Sequence, residues 1–100
     1  MPAVVRIGDT LSTGHDCVGT TTLADSNTDH TVFANGIAIA VVGAPTVSHP
    51  IGAPLCPPHV AQLNAGSSTV FINGIAVGRI GDSADSGAMI SGSTDVFAGG

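Results

Sequence analysis

Apolar residues in this chain fall in short alternating runs, and the runs repeat. Residues 69–77 read TVFINGIAV, two apolar segments on either side of Asn73-Gly74. Asn-Gly between alternating apolar residues is a strong hairpin signal, because both central positions of a tight type I′ turn need positive φ. The pattern recurs as TVFANGIAI at residues 31–39, 38 positions earlier. A third copy is split between the chain ends. Ser93-Thr94-Asp95-Val96-Phe97-Ala98-Gly99-Gly100 matches the first half, and Ala3-Val4-Val5-Arg6-Ile7-Gly8-Asp9 matches residues 76–82, the second half. The pattern predicts three equivalent hairpins, one of them made from both termini. Such a set closes on itself and leaves no loose sheet edge. The expected architecture is all-β: a small cone of β-hairpins with pseudo-threefold symmetry, the third hairpin completed by the two termini, in a single domain over residues 1–100.

Alternation puts Val32, Val70 and Val96 on one face and Phe33, Phe71 and Phe97 on the other. The pattern allows two places for the phenylalanines, a core layer around the axis or a position under an outer loop. Each hairpin has its Asn-Gly turn at one end. The loops at the other end are residues 10–18, 45–60 and 83–88, and symmetry brings them together.

Composition sharpens this picture. A chain of 100 residues has a thin core, so a staple is expected. Only 9% of residues are charged, against roughly 25% in an ordinary soluble domain. Yet 43% are hydrophobic, so the chain has the means to fold. The net charge of −5, with two basic residues, argues against nucleic-acid binding and against anionic membrane surfaces. The opening MPAVVRIGD has neither the basic nor the apolar region of a signal peptide. No apolar run reaches the length of a membrane span. The expectation is synthesis in the cytoplasm, with any export left to a dedicated machine.

Histidine and cysteine supply the candidate chemistry. The first loop carries His15 and Cys17 in GHDC, and the second carries His49, Cys56 and His59 in SHPIGAPLCPPH. The third loop, SADSG, has neither residue type. A tetrahedral Zn²⁺ takes four nitrogen and sulfur donors. Cys56 and His59 have C-x-x-H spacing, which suits two ligands from one turn. His49 lies seven residues before Cys56, in a loop stiffened by Pro50, Pro54, Pro57 and Pro58. The favoured ligand set is His15, His49, Cys56 and His59. Cys17 or His30 in place of one of these, a Cys17–Cys56 disulfide formed after export, and iron in place of zinc are the alternatives. Four protein donors with no open position make a structural site rather than a catalytic one.

No catalytic residue is assigned, and the chain is not expected to be an enzyme. Asp9 and Asp82 each follow a glycine and read as turn residues. Ser12, Ser48 and Ser86 lie near the histidines, but nothing resembles a nucleophile elbow. A small zinc hydrolase would require an open coordination position.

The segments PAVVRIGD, GSSTVFINGIAVGRIGD and SGSTDVFAGG resemble the PAAR-repeat proteins, the spike tips of type VI secretion systems, contractile phage tails and related injection particles. The resemblance covers nearly the whole chain. The family signature is degenerate at Pro2-Ala3-Val4-Val5-Arg6 and Ala76-Val77-Gly78-Arg79, and Val41-Val42-Gly43-Ala44 lacks both the Arg and the Asp. The resemblance implies a cone whose base docks on a trimeric β-helical spike protein, one tip per trimer, with the Asn-Gly turns toward the base. It implies a metal near the point held by three His and one Cys, which agrees with His15, His49, Cys56 and His59. The implied function is to cap the spike and help pierce the target cell envelope, touching the membrane only then. An adaptor linking effector proteins to the spike is the alternative.

Overall fold

The computed structural model describes residues 2–15, 17–24, 32–50 and 54–99. His30 lies outside them. The described strands are short: β1 (Thr10–Ser12), β2 (Thr20–Thr22), β3 (Phe33–Ala34), β4 (Ile37–Ala38), β5 (His49–Pro50), β6 (Pro58–His59), β7 (Phe71–Ile72), β8 (Ile75–Ala76), β9 (Ser83–Ala84) and β10 (Gly87–Ala88). They pair antiparallel as β1–β2, β3–β4, β5–β6, β7–β8 and β9–β10. The described residues contain no helix. The fold is all-β.

Both Asn-Gly turns form hairpins. Asn35 and Gly36 have φ of 56° and 76°, and Asn73 and Gly74 have 51° and 81°. These positive values are what a type I′ turn demands, and asparagine tolerates them better than most residues. Phe33 then faces Ala38, and Phe71 faces Ala76. The third hairpin is built from the termini. Ala3 bridges Phe97, the Val4 amide donates to the Val96 carbonyl at 3.0 Å, and the Ala98 amide donates to Pro2 at 3.0 Å.

The three hairpins are tied to one another in a ring. The Val5 amide donates to Gly78 at 2.9 Å, Gly78 donates to Ala40 at 3.0 Å, and Ala40 donates back to Val5 at 3.0 Å. A second cycle runs from Ile7 to Ala38, from Val42 to Ala76 and from Ile80 to Ala3. Gly8 donates to Leu23, Gly43 to Leu63 and Gly81 to Met89, three bonds that each close the segment following one hairpin. Each member of a cycle holds the same place in its own copy of the repeat. The edge that each hairpin would leave open is therefore used by the next.

Two apolar layers fill this arrangement. Nearer the Asn-Gly turns, Val4, Ala34, Ile39, Val41, Ile72, Val77 and Ala98 pack together. Beyond the ring, Val5, Leu11, Leu23, Ala40, Ala44, Leu63, Ala84 and Met89 form the second cluster. Each fully buried Leu there contributes on the order of 1.5–3 kcal/mol. Gly78 is what lets Leu63 in, since a Cβ at that position would run into the Leu63 side chain and lie 2.7 Å from Val5 Cγ2.

The phenylalanines take neither place that the pattern allowed. Phe33, Phe71 and Phe97 are 52%, 53% and 50% exposed. Their neighbours Ala34, Ile72 and Ala98 point inward instead, and a core this narrow is filled by those smaller side chains.

Two of the three equivalent turns carry an ion pair. Arg6 donates from its backbone amide to Asp9 Oδ2 at 2.7 Å and from its guanidinium to both Asp9 oxygens at 3.0 and 3.1 Å. Arg79 and Asp82 repeat this at 2.8, 3.0 and 3.0 Å. Hydrogen bonds to the aspartates raise both arginine pKa values against the opposing effect of burial. The third turn has Val41 and Ala44, both buried, and keeps the same backbone bond from residue 44 to residue 41 at 3.0 Å. Beyond these turns the chain leads into the loops that carry the histidines.

Candidate metal centre

The first loop is shaped by Thr13, which is fully buried. Its hydroxyl donates to the Val18 carbonyl at 2.6 Å and closes the loop that presents His15. The third loop packs directly on the first. The Ser86 amide donates to Thr13 at 3.0 Å and the Ala88 amide to Ser12 Oγ at 3.1 Å. The approach is close enough that a Cβ on Gly14 would strike the Ser86 carbonyl, and one on Gly87 the Ser12 carbonyl. In the second loop, β5 and β6 set His49 directly opposite His59.

Asp85 sits in the tight turn between β9 and β10 at φ 54°. Its amide donates to the Gln62 carbonyl at 3.1 Å, and its carbonyl accepts from the Asn64 side chain at 3.0 Å. These bonds aim the carboxylate at the histidines. Oδ2 lies 2.8 Å from His15 Nε2 and 2.8 Å from His49 Nε2, and Oδ1 lies 3.4 Å from His59 Nε2. The His15 and His49 rings are stacked at 5.2 Å, and His59 stands edge-on to both. Burial opposes ionisation of Asp85, but the hydrogen bonds from His15, His49 and His59 together outweigh it and hold its carboxyl below the ordinary value.

This donor set fits a metal ion. The ligand atoms of His15, His49, His59 and Asp85 all lie within 4.8 Å of one another. A tetrahedron with metal–nitrogen bonds of roughly 2.0–2.1 Å sets its donors about 3.3 Å apart. The tautomer of His49 adds a second argument. Its Nδ1–H donates to the Val47 carbonyl at 2.8 Å, so Nε2 can donate to Asp85 only as an imidazolium, and on a neutral ring it presents a lone pair to the carboxylate. Two electron pairs at that distance repel unless a proton or a cation stands between them. Such fixing of one ring nitrogen by a backbone carbonyl is how ligating histidines are ordinarily oriented.

A family model for the PAAR motif matches residues 8–92. The chain belongs to the PAAR-motif family. Membership supports a spike-tip component of a secretion or injection system, in a structural rather than an enzymatic family. No curated protein matches the chain. Among the described residues of this PAAR-motif chain, no helix is long and apolar enough to cross a membrane.

The structure of this PAAR-motif chain brings together three of the four residues expected from sequence. His15, His49 and His59 are brought together, but Cys56 is not with them. Cys56 Sγ is bonded to Cys17 Sγ, and no free cysteine remains. The two Cα atoms are 5.9 Å apart, a span that a disulfide bridges without distortion. The bond ties the first loop to the second. Asp85, from the loop expected to bring no ligand, lies against the three histidines instead. The signal for Asp85 was its position: it occupies the third of three loops that converge, and a carboxylate oxygen is also a zinc donor. A search confined to histidine and cysteine passes over it.

Proposed function

We propose that this chain is the metal-stapled pointed tip of a contractile injection machine, capping a trimeric β-helical spike and helping to pierce the target envelope. The observation that carries this reading is the meeting of one carboxylate and three imidazoles delivered by three separate loops. A metal bound there would tie all three loops at one point, where a thin core gives least support. Zinc suits the donors, and so does iron. When bound, the metal supplies cross-linking rather than chemistry, since His15, His49, His59 and Asp85 fill a tetrahedral shell.

The opposite end supports the docking part of the reading. Phe33, Phe71 and Phe97 are half exposed in the three hairpins, and Ile37 and Ile75 beside the turns are each 40% exposed. One chain whose hydrogen bonds cycle through three equivalent units suits a partner with a true threefold end. Apolar contact and strand pairing would hold such an interface.

The test is reconstitution with a trimeric spike protein from the same machine. Native mass measurement is expected to give one tip per trimer. Failure of the two to associate, or a ratio of three tips per trimer, would contradict the reading.

A further inference from the structure

Two ties act on the same loops in this molecule. The Cys17–Cys56 bond joins the first loop to the second, and the candidate metal centre joins both of these to the third. We propose that the redox state of the cysteine pair selects the fourth metal donor, an inference that rests on the metal reading above. With the disulfide formed, Asp85 completes the group with His15, His49 and His59. With it reduced, Cys56 Sγ takes the place of the Asp85 oxygen.

Position on the chain makes Cys56 the candidate for exchange. It stands three residues before His59, and Cys17 stands two residues after His15, so both sulfurs are tethered by short segments to ligating residues. C-x-x-H spacing delivers two donors from one turn. His49 and His59 face each other across β5–β6, so the histidines on either side of Cys56 in the sequence both stand at the centre. A thiolate is a softer donor than a carboxylate and is the better partner for zinc. Asp85 therefore holds the fourth position only while the sulfur is committed elsewhere.

The exchange balances with a dithiol as reductant. It delivers two electrons and two protons, the Cys17–Cys56 bond breaks, and the two sulfurs become thiols while the reductant closes its own disulfide. The Cys56 thiol then releases its proton to solvent on becoming a ligand. A tip assembled among reducing thiols would carry one donor set, and an oxidised tip the other.

Cobalt(II) and zinc titrations of the full chain test this. The protein is compared as the disulfide form and after reduction by a water-soluble phosphine. A near-ultraviolet thiolate-to-cobalt charge-transfer band is expected in the reduced form and not in the disulfide form. The band is expected without reductant in Cys17→Ser, where Cys56 has no partner. Asp85→Ala is expected to weaken zinc binding of the disulfide form by at least about tenfold and to leave the reduced form unchanged. Backbone circular dichroism checks the fold, and Asp85→Asn is read instead if the alanine variant fails to fold. Cobalt binding in both states with no thiolate band, or equal weakening of both states by the Asp85 change, overturns the exchange and leaves the metal reading standing. No cobalt uptake in either state overturns both.

Discussion

His49 Nε2 lies 2.8 Å from Asp85 Oδ2, while the Nδ1 of the same ring is bonded to the Val47 carbonyl at 2.8 Å. The ring is 4% exposed as a residue and has no freedom to turn away from the carboxylate. Removing either partner should therefore remove metal and stability together. We expect His49→Ala and Asp85→Ala, in the disulfide form, each to lower metal affinity by at least about tenfold and to lower the melting temperature. Elemental analysis and a thermal melt check this. Wild-type metal content in His49→Ala would place the metal elsewhere.

The packing of the first and third loops predicts a sharp contrast between two glycines. A Cβ on Gly87 would strike the backbone of Ser12, whereas one on Gly19 meets nothing within 4 Å. Gly87→Ala should cost about 1–3 kcal/mol, the usual range for overpacking. Gly19→Ala should stay within about 0.5 kcal/mol of wild type. Chemical denaturation measures both, and similar costs would contradict the close approach of the loops.

The ion pair of Arg79 and Asp82 can be tested against the natural replacement at Val41 and Ala44. Asp82→Ala leaves a half-buried guanidinium without its carboxylate and should cost about 1–3 kcal/mol. Arg79→Val with Asp82→Ala recreates the apolar turn that the molecule already carries once. The double variant should lose less than the two single losses added together. Strict additivity in a double-mutant cycle would show that the pair is uncoupled.

Docking through the turn end predicts a surface phenotype without a folding one. Phe71 and Ile75 are 53% and 40% exposed, so a charge there is tolerated by the free chain. Phe71→Asp and Ile75→Asp should keep the wild-type melting temperature and lose binding to the spike trimer in a pull-down. Undiminished binding would move the docking surface away from the turns.

Much of this was legible in the residues. The hairpins at Asn35-Gly36 and Asn73-Gly74 follow from turn chemistry, and the Ala3–Phe97 pairing from the split repeat. The convergence of His15, His49 and His59 follows from placing three loops at one end. Two features were not legible. Alternation separates the faces of a strand but does not say which face a narrow core accepts, so the exposure of Phe33, Phe71 and Phe97 came only with the packing. The fate of Cys56 depends on a Cα separation across two loops, a distance that no spacing along the chain encodes. With its sulfur bonded to Cys17, the side chain that meets the three histidines is Asp85, whose aim is set by Gln62 and Asn64 from a neighbouring segment.

The central claim is a metal tie between three loops, and metal stoichiometry measures it most directly. Elemental analysis of the protein, purified without added metal or chelator, should give about one zinc or iron per chain, and EDTA should remove it and lower the melting temperature. Protein with neither metal, whose melting is indifferent to EDTA and to added zinc, would contradict the account.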